Sequence, residues 1–343
     1  MKYPATLLAL IFSWLAAAGG AFAEWPEHEL TLMAPLAPTL PWDQTPNPQA
    51  ELLASLVPRL SRELGVPVQY VVKPEGQGVL AANAVALAQA DGYVLAAIGN
   101  DPALNLVIQG YTPYVWEELT PVAAAWRVVH VLVAKNDFPA ADLRDLAAAA
   151  LKAVTQSGRA WDRPRLARLN KGAPYSSAVL MAMEAARAVG FDWDFAEVDR
   201  PDPAVLLEGQ AEVMALALAD FLTHPQKDQF KVLLVLSEEE PFGAQGWPTL
   251  RTLGLKLSIN SCFVFYLPAR VEGKVRDRLS EAINGLLRLQ AVTAKIVEIG
   301  LLPCLEGPEG VRQAMNREYG NQVKLLESFG LLESFSEAGP MER

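Results

Sequence analysis

Short apolar runs alternate with amphipathic stretches along almost the whole chain. Residues 30–33 and 68–72 have the length and the β-branched composition of buried strands. Between them, residues 49–64 place apolar side chains every three or four positions, the spacing of a helix with one buried face. The pattern continues as strand, helix, strand. It predicts an α/β fold in which mainly parallel sheets are flanked by helices.

The ends of the first helix carry clear signals. Asn47 followed by Pro48 is a typical N-cap and first residue, and Gly65 is a typical end. Pro58 lies inside the pattern and is expected to kink or shorten the helix. Further strands are predicted at residues 93–98, 128–134, 195–198, 213–216, 231–236 and 262–267. Further helices are predicted at residues 79–90, 103–108, 140–153, 175–189, 271–289, 291–299 and 309–329.

The elements group into two units. We predict a first lobe from residues 24–125, covered by the C-terminal helices of residues 241–343, and a second lobe from residues 126–240. Ligands of open α/β sheets bind at the carboxyl ends of strands, against helix N-termini. We therefore expect the helices that begin at 48, 79 and 175 to face one hollow between the lobes.

Residues 1–23 have the form of a secretory signal peptide. Lys2 precedes an apolar run at residues 5–18, and the small-residue site Ala-Phe-Ala follows at residues 21–23. The run is shorter than the approximately 20 residues of a membrane-spanning helix. The sequence thus predicts export to the periplasm, with a retained N-terminal anchor as the alternative.

Charge and cysteine content limit the partners. The chain has 29 basic and 39 acidic side chains, a net charge of −10, which argues against nucleic acid as a partner. A small anion stays compatible, because helix N-termini bind anions locally. The three histidines lie far apart and no CxxC or HExxH spacing occurs, so neither a metal nor a cofactor is predicted. Cys262 and Cys304 either form a disulfide or are two separate buried thiols.

Several motifs together resemble one family. Within residues 56–100, Leu64-Gly65, Gly76-Gln77-Gly78, Asp91-Gly92-Tyr93 and Gly99-Asn100 follow one another between the predicted elements. This order, and the later stretches "LLEGQAEVMA" and "SCFVFYLPARVEGKVRDRLSEAINGLL", resemble the substrate-binding receptors of tripartite tricarboxylate transporters, the Bug family. The resemblance covers nearly the whole mature chain. It implies a two-lobed, type II-like periplasmic binding protein that captures small carboxylates and delivers them to membrane permease subunits. We expect the protein to be a monomer.

The candidate ligand contacts of the first lobe are positions where this chain either matches the family's motifs or differs from them. Where the family carries Gly-Gly after Ala-Pro, this chain has Thr39-Leu40-Pro41-Trp42-Asp43. Trp42 either stacks on a ligand ring or packs the loop, and Asp43 either attracts an amine or is solvated. Asp101 is either an acid facing the cleft or, before Pro102, the N-cap of its own helix. The candidate residues of this lobe are Thr39, Trp42, Asp43, Gly76, Gln77, Gly78, Asn100 and Asp101.

In the second lobe, Ser176 and Ser177 open a predicted helix where the family has Gly-Ser-Ser-Gly-His. They offer hydroxyls beside helix N–H groups, an anion site, or they only cap the helix. Arg200 is either a bidentate carboxylate clamp or a surface residue paired with Asp199 or Asp202. The basic cluster at residues 159–171 is interpreted as a solvated face.

These features favour an exported receptor for a small organic ligand. Asp43, Asp101 and Trp42 favour an amino acid or an aromatic acid over a plain dicarboxylate. The alternative is a degenerate receptor fold used for protein interaction or sensing, which the prolines of the first loop favour. An enzyme is not expected, because the chain has no G-x-S-x-G, P-loop or G-x-G-x-x-G motif.

Overall fold

The computed structural model describes residues 25–40, 45–157, 163–169 and 175–332. The predicted signal peptide, Trp42 and Asp43 lie outside these residues. The strands are β1 (Leu30–Ala34), β2 (Val68–Val72), β3 (Val94–Gly99), β4 (Leu119–Arg127), β5 (His130–Lys135), β6 (Arg165–Leu169), β7 (Asp194–Val198), β8 (Val213–Ala217), β9 (Phe230–Val235), β10 (Cys262–Pro268) and β11 (Leu302–Glu306). The longer helices are α1 (Pro48–Leu64), α2 (Val79–Ala86), α3 (Leu143–Ser157), α4 (Ser177–Val189), α5 (Leu218–Thr223), α6 (Gly273–Leu287), α7 (Gln290–Glu298) and α8 (Pro308–Ser328).

Two sheets form the centres of two lobes. The first has the strand order β11-β4-β10-β3-β1-β2 and the second the order β7-β6-β8-β5-β9. Strand β1 pairs in parallel with β2 and β3, and β6 pairs in parallel with β7 and β8. The two-lobed α/β class is confirmed, but the parallel part of each sheet is smaller than predicted. Because the chain enters the second lobe through β4 and β5 and returns through β9 and β10, these strands pair antiparallel.

The apolar faces of the sheets and helices form separate cores in the two lobes. In the first lobe, Leu53 of α1 and Leu279 of α6 pack with the buried ring of Trp126. In the second lobe, Leu180 of α4 packs in one cluster with Leu250 from the segment 241–261. The contacts therefore place this segment with the second lobe, although it follows the predicted boundary at residue 240.

Helix α8 connects the two cores. Met315 lies in a cluster with the first sheet, whereas Leu326 is fully buried in the core of the second lobe. The C-terminal helix thus packs on both lobes, and its cover extends beyond the first lobe. Among the described helices, none is long and apolar enough to cross a membrane.

Helix α1 shows how local chemistry sets its ends. The Oδ1 atom of Asn47 accepts hydrogen bonds from the backbone N–H groups of Gln49 at 3.0 Å and Ala50 at 3.2 Å. Gly65 closes the helix with a left-handed φ of 75°. The prediction that Pro58 shortens the helix was wrong, because α1 runs through it for 17 residues. Pro58 lies on the exposed side, where water can hydrate the carbonyl that loses its helical partner.

Candidate functional site

The lobes meet where the loop after β3 reaches the N-terminus of α4. Ser176 is the N-cap of α4, with extended backbone angles, and its Oγ accepts a weak hydrogen bond of 3.4 Å from the N–H of Val179. The N–H of Ser177, the first residue of the helix, has no acceptor within α4. The start of α4 therefore keeps a free donor and a share of positive dipole at the lobe boundary.

Asp101 of the first lobe fills this position. Its Oδ1 atom accepts hydrogen bonds from the backbone N–H of Ser177 at 2.7 Å and from the Ser177 hydroxyl at 2.6 Å. Asn105 donates a third, from Nδ2, at 2.9 Å. The Ser177 side chain is fully buried. A carboxylate of one lobe thus caps a helix of the other.

This contact bears on the N-cap interpretation of Asp101, whereas its role at a ligand cleft stays a prediction. Residues Asp101–Asn105 form a π-helical turn whose N-cap, Asn100, makes no side-chain capping bond. The N-cap interpretation of Asp101 was wrong for its own helix, because its carboxylate turns across the boundary to α4. Asp101 and Ser177 are therefore the two candidate residues that the structure brings into direct contact across the lobes.

Two further residues of this boundary were missed by the sequence analysis. The side-chain amides of Asn105 and Gln109 both donate to the backbone carbonyl of Tyr175, at 2.7 Å and 3.0 Å. Both side chains are buried. Their signal was the spacing of polar positions 101, 105 and 109, which recur every four residues within an apolar helical stretch.

His130, at the start of β5, lies close to this contact. It is 8% exposed, and its Nδ1 atom has no hydrogen-bond partner among the described residues. Burial lowers the pKa of His130 to about 4, and the nearby carboxylate of Asp101 acts in the opposite direction. The imidazole is therefore neutral at pH 7, with one buried ring nitrogen unsatisfied.

The three loops of the first lobe pack together at one glycine. A Cβ atom added at Gly78 would lie 3.1 Å from Pro35 and 3.2 Å from Pro102, which follow β1 and β3. Gly76 and Gln77 just before it have left-handed φ values of 62° and 57°. The predicted glycine-rich loop thus makes a tight turn that closely approaches the segment bearing Asp101.

Asn100 lies beside this boundary. Its side-chain amide donates to the carbonyl of Asn260, in the segment that returns from the second lobe, at 2.9 Å. Asn100 also lines a cavity of about 460 Å³ whose wall includes Cys262, Cys304 and Glu318. The predicted role of Asn100 as a ligand contact stays a prediction.

The remaining candidates are placed differently. Thr39 is exposed and forms an isolated bridge with Pro46, and the predicted roles of Trp42 and Asp43 lie outside the described residues. Arg200 forms ion pairs with Asp199 and Asp202 at 3.5 Å and also with Glu208. This environment favours the surface interpretation of Arg200, because its guanidinium already has three acidic partners.

A second buried acid joins the lobes near the start of α1. Burial raises the pKa of Asp220, in α5, to about 6, and a hydrogen bond with Gln49 acts in the opposite direction. Gln49 in turn accepts a hydrogen bond of 3.3 Å from the indole Nε1 of Trp126. The starts of α1 and α4 therefore each contact the other lobe. That the starts of α1, α2 and α4 face one shared hollow stays a prediction. Protein side chains contact each other directly at the lobe boundary.

The two cysteines face each other across β4 as free thiols. The hydrogen bond between them raises the pKa of Cys262 above its usual value and lowers that of Cys304. Their pairing as a disulfide stays a prediction. Within the described part of the chain, no cluster of three His, Cys, Asp or Glu side chains is placed to hold a metal ion.

Comparisons with known proteins identify related chains. No family model matches the sequence. Protein BugT of Bordetella pertussis is 26% identical over 317 residues, which cover 89% of this chain and 92% of BugT. The periplasmic binding protein BugD superposes with a TM-score of 0.67 at 18% identity, covering 90% of this chain and 99% of BugD.

The R. palustris protein Rpa4515, solved with adipate, superposes with a TM-score of 0.69 at 20% identity, covering 90% of this chain and 99% of that protein. These structures share the two-lobed fold described above. Together with the relative BugT, they confirm the resemblance carried by the sequence motifs. The chain is thus similar to the Bug family of solute-binding receptors, through its 26% identity to BugT and the shared fold.

Proposed function

We propose that this chain is an exported receptor that captures a small organic ligand between its two lobes for a tripartite tricarboxylate-type transporter. The observation that carries the proposal is the contact of Asp101 with Ser177. In this contact the start of α4 donates to a carboxylate at the lobe boundary, which supports the proposal. The loops that follow parallel strands in both lobes meet there, which is where ligands of α/β sheets bind.

The ligand class is argued from charge. The relative solved with adipate supports a carboxylate as the bound group. In this chain the Asp101 carboxylate already lies at the boundary, and Arg200 is neutralised by acids of its own lobe. A second ligand carboxylate would meet negative charge, so we favour a ligand with one carboxylate and an amine or a ring, such as an amino acid or an aromatic acid.

The location and partners belong to the same proposal. The signal-like residues 1–23 and the relatives named as periplasmic or Bug proteins support a periplasmic protein, and we propose that it acts as a monomer. Its partners are then the ligand and the membrane permease subunits. It is proposed to bind its ligand without catalysis.

A thermal-shift screen tests the proposal. The full mature chain is heated with adipate, malate, amino acids and aromatic acids, each at several concentrations and at constant ionic strength. We expect at least one carboxylate to raise the melting temperature saturably, because a ligand that binds only the folded state stabilises it. If none of them shifts the transition, solute capture is rejected and the interaction or sensing alternative is favoured.

A further inference from the structure

The N-terminus of α4 has the components of an anion-binding position. Helix α4 is 13 residues long, and its first residue presents both an N–H group and a hydroxyl at a buried point. Both donors reach a single oxygen, Oδ1 of Asp101, at 2.7 Å and 2.6 Å. The occupant of the position is therefore a carboxylate that comes from the other lobe of the same chain.

His130 is a second buried polar side chain near this position. Its side chain is more than nine-tenths buried, and its Nδ1 atom finds no partner among the described residues. It lies near enough to Asp101 for the two groups to interact electrostatically. A buried ring nitrogen without a partner is costly.

The segment that bears Asp101 is held in place on the second lobe. Asn105 and Gln109, one and two turns further on, both donate to the carbonyl of Tyr175, just before the N-cap of α4. Asp101 is thus tethered close to its donors. A tethered group has a high effective concentration, so a free carboxylate competes with it at a disadvantage.

We propose that Asp101 is a built-in carboxylate ligand that closes the two lobes in the absence of solute, and that a solute carboxylate binds at the start of α4 by displacing it. The inference deepens the proposed function and rests on it for the second clause. The first clause concerns the protein alone and is tested without knowledge of the transported solute.

The displaced carboxylate stays in the cleft as a nearby negative charge. It therefore disfavours a solute with further anionic groups and favours one whose remainder is neutral or cationic. Asp101 is in this sense a specificity-determining residue for the receptor. Its carboxylate occupies the part of the cleft where the second carboxylate of a longer dicarboxylic acid would otherwise lie.

Chemical rescue tests the first clause. In Asp101→Ala the position at α4 is vacated, and the melting temperature is expected to fall because Ser177 loses its acceptor. Sodium acetate, compared with sodium chloride at equal ionic strength, is expected to raise the melting temperature of this variant by about 2–4 °C with saturation. The wild-type chain, in which Asp101 fills the position, is expected to show no such acetate effect.

Two matched variants complete the design. Asp101→Asn keeps the shape of the side chain, so acetate finds no room and is expected to have no effect. Asp91→Ala removes a carboxylate that accepts from a backbone N–H in an exposed turn, and acetate is expected not to rescue it. An equal acetate effect on all four proteins, or none on Asp101→Ala, overturns the inference.

If Asp101→Ala does not fold in chloride, recovery of folded protein on refolding in acetate replaces the melting temperature as the readout. A negative thermal-shift screen on the wild-type chain bears only on the proposed function.

Discussion

Several buried polar side chains of this protein lie where the two lobes and the crossing segments meet. Glu318 of α8 accepts a hydrogen bond of 2.9 Å from the N–H of Asn260, and Glu184 of α4 accepts two from the N–H of Ser258. Burial raises the pKa of both acids. These carboxyl groups hold the segment that returns from the second lobe, and their desolvation makes the stability of that region depend on pH.

Glu318→Gln is expected to change this pH dependence. The pKa of Glu318 is raised by burial from 4.5 to about 7, so the folded chain retains a proton that the unfolded chain releases. Stability from this group is therefore present below pH 4.5 and is lost as the pH rises through about 7. Urea unfolding between pH 5 and 8 should show a decline in the wild-type chain that is smaller in Glu318→Gln, by up to about 3 kcal/mol.

The matched control for this experiment is Glu327→Gln, which changes an exposed acid of the same helix. Its pH profile is expected to follow the wild type. His130 has the opposite effect on stability, because its lowered pKa makes the free energy of unfolding rise with pH between about 4 and 6.5. This effect is the same in all three proteins and cancels when their pH profiles are compared. Parallel profiles for wild type and Glu318→Gln would show that Glu318 is not desolvated as described.

Gly92, in the Asp91-Gly92 turn, leads to a second prediction about the free energy of unfolding. Gly92 has a φ of +86°, and an added Cβ would lie 2.2 Å from Cγ1 of Val275 in α6. Gly92→Ala is therefore expected to destabilise the chain by about 2–4 kcal/mol, from left-handed strain and overpacking together. Gly110→Ala has a similar φ of +76° with no atom within 4 Å, and it should cost only about 1–2 kcal/mol. Equal losses of unfolding free energy in the two variants would contradict the packing argument.

At the scale of elements, strong local signals were the ones that predicted the structure well. Strand β2 was predicted with the observed bounds, and the cap of α1 at Asn47 follows from local chemistry. Strand β6 was missed because its two arginines suggested a solvated face. In the structure they pair with acids beside β6, Arg165 with Glu212 just before β8 and Arg168 with Glu197 in β7. Charge pairing across a sheet is a tertiary property that one strand's sequence does not show.

Candidate site residues followed the same rule. Ser177 was a candidate because a helix start is visible in the sequence, and Asp101 was a candidate as well, but their pairing was not predicted. The contact between Asp101 and Ser177 spans 76 residues and needs the packing of both lobes. The capping prediction for Asp101 failed because a local rule was applied to a side chain whose acceptor oxygen is used across the boundary.

Helix α8 gives a prediction at this scale. Leu326 is fully buried in the core of the second lobe, while the first half of the helix packs on the first lobe. Leu326→Ala is expected to reduce the free energy of unfolding by about 2–5 kcal/mol through a cavity at this bridge. Leu289→Ala, at a site that is 40% exposed, is the control and should cost less than about 1 kcal/mol in the same urea titration. A loss at Leu326 no larger than that at Leu289 would show that α8 does not join the two cores.

At the scale of the whole molecule, direct contacts between the two lobes affect how tightly a solute can bind. Besides Asp101 with Ser177, Arg127 at the end of β4 pairs with Glu239 after β9. Such contacts join the two lobes in this structure, and under the proposal above a solute has to compete with the one made by Asp101. The affinity of the receptor is therefore set by the difference between solute contacts and the internal contacts that they replace.

The most direct measurement is a calorimetric titration of the wild-type chain and of Asp101→Ala with the carboxylate that gives the largest thermal shift. The account predicts saturable binding of one solute per chain in both, at least about tenfold tighter in Asp101→Ala because no internal carboxylate has to leave. Absence of binding in both proteins would contradict the receptor function. Equal affinity in both would show that solute does not bind at the start of α4.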